Sequence, residues 1–245
     1  EDGFFKYRVD FDTLENLAEL HNGEIGAICC SRPTNPTGNV LTDDEMARLE
    51  AIAKRFDIPL IIDNAYGMPF PNIIYSQATL NWNEQIILCF SLSKIGLPGV
   101  RTGIVVANPQ VVKAISSLNA IVNLAPTRFG AAIATPLLQD DRLKDLSDNH
   151  IRPFYQGQAK LAVQLLKQEL GDLPNDAMKI HKPEGAIFLW VWFKDLPITT
   201  VELYERLKAK GTLIIPSEHF FVGVDTENFK HAHECIRLSI AQDDE

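Results

Sequence analysis

No stretch of this sequence stays apolar for the roughly 20 residues that a membrane-crossing helix needs. The longest such run, Ala186 to Phe193, has the length of a buried strand instead, so no membrane partner is expected. Basic residues are short relative to acidic ones, 23 Lys and Arg against 32 Asp and Glu, giving a net charge of −9. They form no stripe, and a phosphate backbone is held by clustered cations, so nucleic acid is not an expected partner. Cysteine is sparse: Cys29, Cys30, Cys89 and Cys235 have no spacing that suggests a disulfide framework, and a reducing cytoplasm is the expected setting. Internal repeats and low-complexity tracts are missing. So are an initiator Met and a basic-then-apolar leader: the start, Glu1-Asp2-Gly3, looks like a cut, and more chain is expected before it.

What is present is ordinary for a soluble globular protein, with 46% hydrophobic and 22% charged residues. Apolar runs alternate with amphipathic stretches. Strands are expected at Ile25 to Cys30, Pro59 to Ile62, Gln85 to Phe90 and Thr102 to Ala107. Thr42-Asp43-Asp44-Glu45 has the form of a capping box, opening a helix through Met46, Leu49, Ile52 and Ala53. Helical patterns run from Gln110 to Val122 and from Arg128 to Leu138. This alternation predicts an α/β layer with a mostly parallel sheet flanked by helices.

The texture changes near Asp140. Ser147 is expected to cap a long helix that ends at Gly171 and is kinked by Pro153. Met178 to Ile180, the turn Pro183-Glu184-Gly185 and Ile187 to Phe193 suggest a hairpin. Thr199 to Glu202 looks like a second capping box, and Leu213 to Ile215 and Cys235 to Ile240 are further strands. A large domain over residues 1–141 and a smaller α+β domain over 142–245 are expected, each incomplete.

The segment richest in chemistry is Ser91-Leu92-Ser93-Lys94, followed by Gly96-Leu97-Pro98-Gly99-Val100-Arg101. A lysine that forms a Schiff base must sit at a fixed place just past a strand. Ser91 supplies a hydroxyl and Arg101 a guanidinium fork, a combination suited to a phosphate. Asp63-Asn64-Ala65-Tyr66 follows the strand ending at Ile62, where open α/β sheets bind ligands, although an Asp before a small loop is more often a turn. Pro33-Thr34-Asn35-Pro36-Thr37-Gly38 has turn composition, and its place after one strand and before a capped helix gives it interest. In Cys235-Ile236-Arg237-Leu238-Ser239, Arg237 needs an anion, either a substrate carboxylate or an internal acid. His231, His233 and Cys235 would share one face of a strand. They lack an evident fourth ligand, so a polar strand edge is preferred to a metal site.

These four segments, in this order, resemble the fold-type-I aminotransferases that use pyridoxal 5'-phosphate (PLP). The resemblance implies Lys94 as the Schiff-base lysine, Asp63 on the pyridine nitrogen, and Tyr66 with Asn35 on the phenolic oxygen. It also implies Ser91 and Arg101 on the phosphate and Arg237 on the substrate's α-carboxylate, with the peptide bond before Pro36 cis. Asp63 to Pro71, Ser91 to Gly103 and His181 to Trp190 narrow the resemblance to a branch that pairs valine with pyruvate, giving 2-oxoisovalerate and alanine. Ser217 stands where relatives usually have Gly, and His219 falls near where the family's small domain meets the active site. Family members have a long segment before the position of Glu1 and continue past Arg237 into a closing helix, so the chain looks truncated at both ends, and a homodimer is implied at full length. A different PLP reaction on the same scaffold (C–S lyase or cyclopropane-forming synthase), or the sensor domain of a transcription regulator, stays open.

Overall fold

The computed structural model describes residues 3–241. The chain runs β1 (Phe4–Phe5), α1 (Phe11–Leu20), β2 (Ile28–Ser31), α2 (Asp43–Arg55), β3 (Leu60–Asp63) and β4 (Ile86–Ser91). Next come β5 (Gly103–Val106), α3 (Pro109–Asn123), α4 (Phe129–Gln139), α5 (Arg142–Leu146) and α6 (Arg152–Leu170). β6 (Met178–His181), β7 (Phe188–Phe193), α7 (Thr200–Lys208), β8 (Ile215–Pro216) and β9 (Cys235–Ser239) follow. Two compact units are present. One comprises Arg8–Pro33 and Val40–Pro153; the other comprises the stretch ending at Tyr7, Thr34–Asn39, and the chain from Phe154 onward. The units change over at Pro153 and Phe154, inside α6, where the expected boundary lay at 141 and 142.

In the first unit, β2, β3 and β4 are parallel and β5 closes the edge antiparallel. This is the expected mostly parallel sheet. A parallel crossover needs a dozen or more residues, usually with a helix, and Leu92–Thr102 is too short, so β5 folds straight back. In β4 the side chains alternate: Ile86, Leu88 and Phe90 are buried, and the intervening ones only half so. The buried set packs into one core with Leu60 and Ile62 of β3 and Leu49, Ile52 and Ala53 of α2. Burying each such large aliphatic side chain stabilises the fold by about 1.5–3 kcal/mol. The box at Thr42 forms as expected, with Thr42 Oγ1 accepting from Glu45 N at 3.1 Å and Glu45 Oε2 accepting from Thr42 N at 2.8 Å. Arg32, 5% exposed, pins that helix start through Leu41 O, Thr79 O and Asp43 Oδ1, all at 2.7–2.8 Å. A buried guanidinium is tolerable only with such a complete set of acceptors.

The second unit is built on a five-stranded sheet in the order β1-β6-β7-β9-β8, with β1 parallel to β6 and the other pairs antiparallel. The expected hairpin is β6 with β7. Phe188, Leu189, Trp190 and Val191 of β7 are all buried, as in a strand covered on both faces.

Two sequence expectations fail. Ser147 does not open the long helix: it follows the last residue of α5, which starts at Arg142, and a π-helical stretch, Ser147–Ile151, joins α5 to α6. Ser147 is fully buried and donates to Leu143 O at 2.6 Å, the back-bond that Ser makes inside helices. The wider π turn comes just before Pro153, whose ring would collide with the carbonyl four residues back in regular helix. The second miss is the strand placement of His231 and His233. They lie in a 3-10 turn, Lys230–His233, and only Cys235 is on β9, so the polar strand edge does not exist. At Thr199 one arm of the expected box forms, to Glu202 N at 3.2 Å, while the Glu202 carboxylate pairs with Arg206.

His181 is fully buried, and burial pushes its pKa down from 6.5 to about 4. Its partners require the neutral ring: Nδ1 gives its proton to Lys182 O at 2.9 Å, and Nε2 accepts from Tyr7 N at 3.3 Å. Below pH 6.5 the unfolded chain therefore binds a proton that the folded chain refuses. Stability is full above that pH and falls as pH drops toward 4, by about 3 kcal/mol in all. Denaturant titrations at pH 7 and pH 4.5 should show this loss, and His181→Gln should flatten that part of the profile.

Candidate active site

β3 and β4 run parallel and end side by side, with Asp63 in register with Cys89. Parallel sheets offer their carboxyl ends to ligands, and there this unit gathers its candidate residues. Asp63 is the last residue of β3 and is exposed; its Oδ1 accepts from Ala65 N at 2.9 Å. The turn beyond it is anchored by buried Asn64, whose backbone N donates to Cys89 O at 2.8 Å, and by Gly67 N donating to Asn64 O at 3.0 Å. This turn presents Tyr66.

Ser91 ends β4, and its Oγ accepts from Ser93 N at 3.1 Å, which leaves the hydroxyl proton to give. Lys94 lies in a one-turn 3-10 helix, Ser93–Ile95. Leu92 and Ile95 on either side of it are buried, which fixes the backbone from which Lys94 extends. Gly96, at φ 93°, turns the chain out of that helix in a conformation that suits glycine. The Lys94 ammonium nitrogen stands 5.2 Å from the centre of the Tyr66 ring. The loop back to β5 is held by Leu92 N to Thr102 O at 3.2 Å and by Thr102 Oγ1 to Val100 O at 2.9 Å. Arg101, in that loop, has φ 47°, costing about 1–3 kcal/mol for a side-chain-bearing residue. Its guanidinium is exposed and donates to Pro98 O at 3.2 Å.

Asn35 and Arg237 belong to the other unit, where they meet. Arg237 Nη1 donates to Asn35 Oδ1 at 2.5 Å across 202 residues of sequence. Half-buried on β9, the guanidinium lies between the rings of Phe188 and Phe220, 5.0 and 5.1 Å from their centres. Such cation–π contacts contribute about 0.5–1 kcal/mol each at partly exposed sites. Asn35 sits in a closed turn, with Thr34 N to Asn39 O and Gly38 N to Thr34 O both at 2.8 Å, and the bond before Pro36 is cis as expected. Gly38, at φ 68°, is required there, because a Cβ would come 2.6 Å from Gly185 O.

Phe188 and Phe220 were missed in the sequence. Phe188 is two residues from Trp190, which pairs with Arg237 across the strands, and this spacing was the only signal. Phe220 gave none. Of the three residues with metal-ligand chemistry, His231 and Cys235 meet, Cys235 Sγ lying 3.5 Å from His231 Nε2, while His233 turns to Glu218, its Nδ1 3.1 Å from Oε1; His231 also packs edge-on against Trp192, ring centres 4.8 Å apart. Burial holds His231 below the usual imidazole range and raises the Cys235 thiol, whereas the Glu218 carboxylate raises His233. Among the described residues no cluster of three or more His, Cys, Asp and Glu forms a metal site, and no helix is long and apolar enough to cross a membrane.

The donor set is an amine, a strand-end carboxylate, a phenol, a hydroxyl with its proton to give and an exposed guanidinium. The chemistry of that set fits a phosphorylated pyridine aldehyde. With this fold, it defines the class. Residues 4–245 match the family of class I and II aminotransferases, and the chain belongs to it.

Among curated relatives, the valine–pyruvate aminotransferase of Escherichia coli is 49% identical over 245 residues, all of this chain and 56% of that protein. A crystal structure of a putative amino-acid aminotransferase from Psychrobacter arcticum superposes with a TM-score of 0.96 at 74% identity, covering all of this chain and 55% of that one. The valine–pyruvate aminotransferase of Salmonella typhimurium gives 0.90 at 48% identity, over 99% of this chain and 60% of that one. The chain thus spans little more than half the length of these relatives.

Proposed function

We propose that the full-length protein is a PLP-dependent aminotransferase that exchanges the amino group of a small aliphatic amino acid, valine or alanine, with a 2-oxo acid, pyruvate or 2-oxoisovalerate. The observation that carries this reading is the placement of Lys94 beside Tyr66, Asp63 and Ser91 at the carboxyl ends of adjacent strands. Relatives that share about half their residues with this chain and are named for valine and pyruvate support the substrate pair. The family resemblance supports a cytoplasmic homodimer.

When bound, PLP supplies an electron sink for the pair released at an amino acid's α-carbon. Lys94 is proposed to hold the cofactor by a Schiff base, and, once displaced by substrate, to take the α-proton on Nζ. Lys94 would then give that proton up again from Nζ, and water would release the 2-oxo acid, leaving the amino group with the cofactor. Asp63 holds a proton on the pyridine nitrogen, and Tyr66 donates to the phenolic oxygen. Ser91 and Arg101 grip the phosphate by charge-assisted hydrogen bonds. Asn35 is proposed for the same phenolic oxygen through its amide hydrogens, its carbonyl oxygen already being on Arg237. Arg237 takes the substrate carboxylate in its fork and so fixes the α-carbon.

Product analysis tests the reaction. Valine should give 2-oxoisovalerate and leave the cofactor in its amino form, and pyruvate should then give alanine. A product formed by elimination or ring closure would refute transamination. Arg237→Lys keeps the charge and loses the fork, so valine binding should weaken by about 1–3 kcal/mol, read as KM or as the half-saturation of the half-reaction. Unaltered valine affinity would remove Arg237 from the carboxylate.

A further inference from the structure

The hydroxyl of Ser217 has no exposure, yet it joins segments from four places in the sequence. It donates to Ala232 O at 2.6 Å and accepts from Cys235 N at 3.2 Å, two residues before Arg237 on β9. It also lies 3.1 Å from Thr200 Oγ1, at the first residue of α7, and Thr200 Oγ1 in turn donates to Glu218 Oε2 at 2.7 Å. Ser217 opens the 3-10 turn Ser217–Phe220, and the last residue of that turn lays its ring against the Arg237 guanidinium. Trp190 packs edge-on with this ring, the centres 5.7 Å apart and the planes at 86°.

The arrangement has a mechanical consequence. The Arg237 side chain is set between Phe188 and Phe220, but Phe188 is fixed by the strand pairing of β7 with β9, whereas Phe220 comes from a short turn. The start of that turn is tied to β9 by the pairing of Pro216 with Ile236 and to α7 by Glu218, and between these ties the buried hydroxyl of Ser217 links the turn to Ala232 and Cys235. An alanine there would leave Ala232 O and Cys235 N without that partner in a space closed to water, and a buried polar group so stranded is driven to move. The turn, and Phe220 with it, would gain freedom against Arg237.

We propose that Ser217 is a positioning residue for substrate binding: it fixes the Phe220 side of the clamp, so that the Arg237 fork is preset for a carboxylate. The inference rests on the reading of Arg237 given above. Holding a fork-shaped group in place lowers the ordering cost of binding, so the effect belongs in the affinity for carboxylate-bearing substrates and not in the chemical step.

The test uses the full-length protein loaded with PLP, with valine as one amine donor and isobutylamine, which has the same amine and side chain without the carboxylate, as the other. Ser217→Ala is expected to raise KM for valine about tenfold while kcat stays within about twofold. Its half-reaction rate with isobutylamine should equal that of the parent. Thr200→Val removes the neighbouring hydroxyl and should raise valine KM by a smaller factor, about threefold, again with isobutylamine unaffected; it carries the test if Ser217→Ala does not fold. An unchanged valine KM in the folded variant, or an equal loss on valine and isobutylamine, overturns the proposal. Arg237→Lys, run alongside, separates the two levels. If it leaves valine KM unchanged, the carboxylate reading itself fails; if it raises valine KM while Ser217→Ala does not, only the role of Ser217 fails.

Discussion

Replacing Lys94 with alanine in the full-length protein should reduce valine–pyruvate transamination by on the order of 10⁴-fold, because one side chain is asked to do two things. As the proposed Schiff-base partner it sets where the cofactor's reactive carbon stands. As the freed amine it carries the α-proton. Neither role can pass to a neighbour in this unit: Tyr66, the ring 5.2 Å from the Lys94 nitrogen, offers a phenol and no amine. Lys94→Arg keeps the charge but cannot form the Schiff base, so it should be about as inactive. Initial-rate assays of alanine formation, with a thermal melt of each variant, decide the matter. Stability should change little, since Leu92 and Ile95, not Lys94, anchor the short helix in the core. Retention of more than a few per cent of parent activity would be incompatible with this assignment.

The second large effect is expected at Asp63. Its carboxylate is exposed at the end of β3 and accepts one local backbone bond, from Ala65 N. Asp63→Ala should therefore cost the fold no more than about 1 kcal/mol. The valine half-reaction should nevertheless slow by on the order of 10³-fold, the scale for removing one preorganised electrostatic partner. Asp63→Asn keeps the shape and loses the charge, and should fall close to the alanine variant. Should the asparagine variant instead keep the parent rate in stopped-flow measurements, a protonated ring nitrogen would not be what Asp63 supplies.

Most of the first unit was legible because its signals are local. Thr42 and Glu45 are three residues apart and can meet only if a helix begins between them, and they do meet. The strands at 28–31, 60–63 and 86–91 announce themselves as apolar runs, with ends off by a residue or more. Asp63, Ser91 and Lys94 could be picked out because each stands at or just past a strand end, and strand ends are where a parallel sheet meets its ligands. Ser147 misled because the hydroxyl that caps a helix also serves inside one, by bonding the carbonyl four residues back, and burial decides between the two. His231 and His233 misled because alternation with Cys235 has meaning only if all three are extended, and a 3-10 turn ends before β9 begins. The clamp on Arg237 was out of reach for a different reason. Asn35 is 202 residues away in sequence and Phe220 lies in a turn with no periodicity, so only the folded chain brings them together.

The central claim, that Lys94 is the cofactor-bearing lysine, is tested most directly without any mutation. The full-length protein would be incubated with PLP, reduced with borohydride, digested and mapped by mass spectrometry. A phosphopyridoxyl group on the peptide containing Ser93-Lys94-Ile95, and on no other lysine in stoichiometric yield, is the predicted result. A stoichiometric adduct on a different lysine, or none at all in a folded, PLP-saturated sample, would contradict the account.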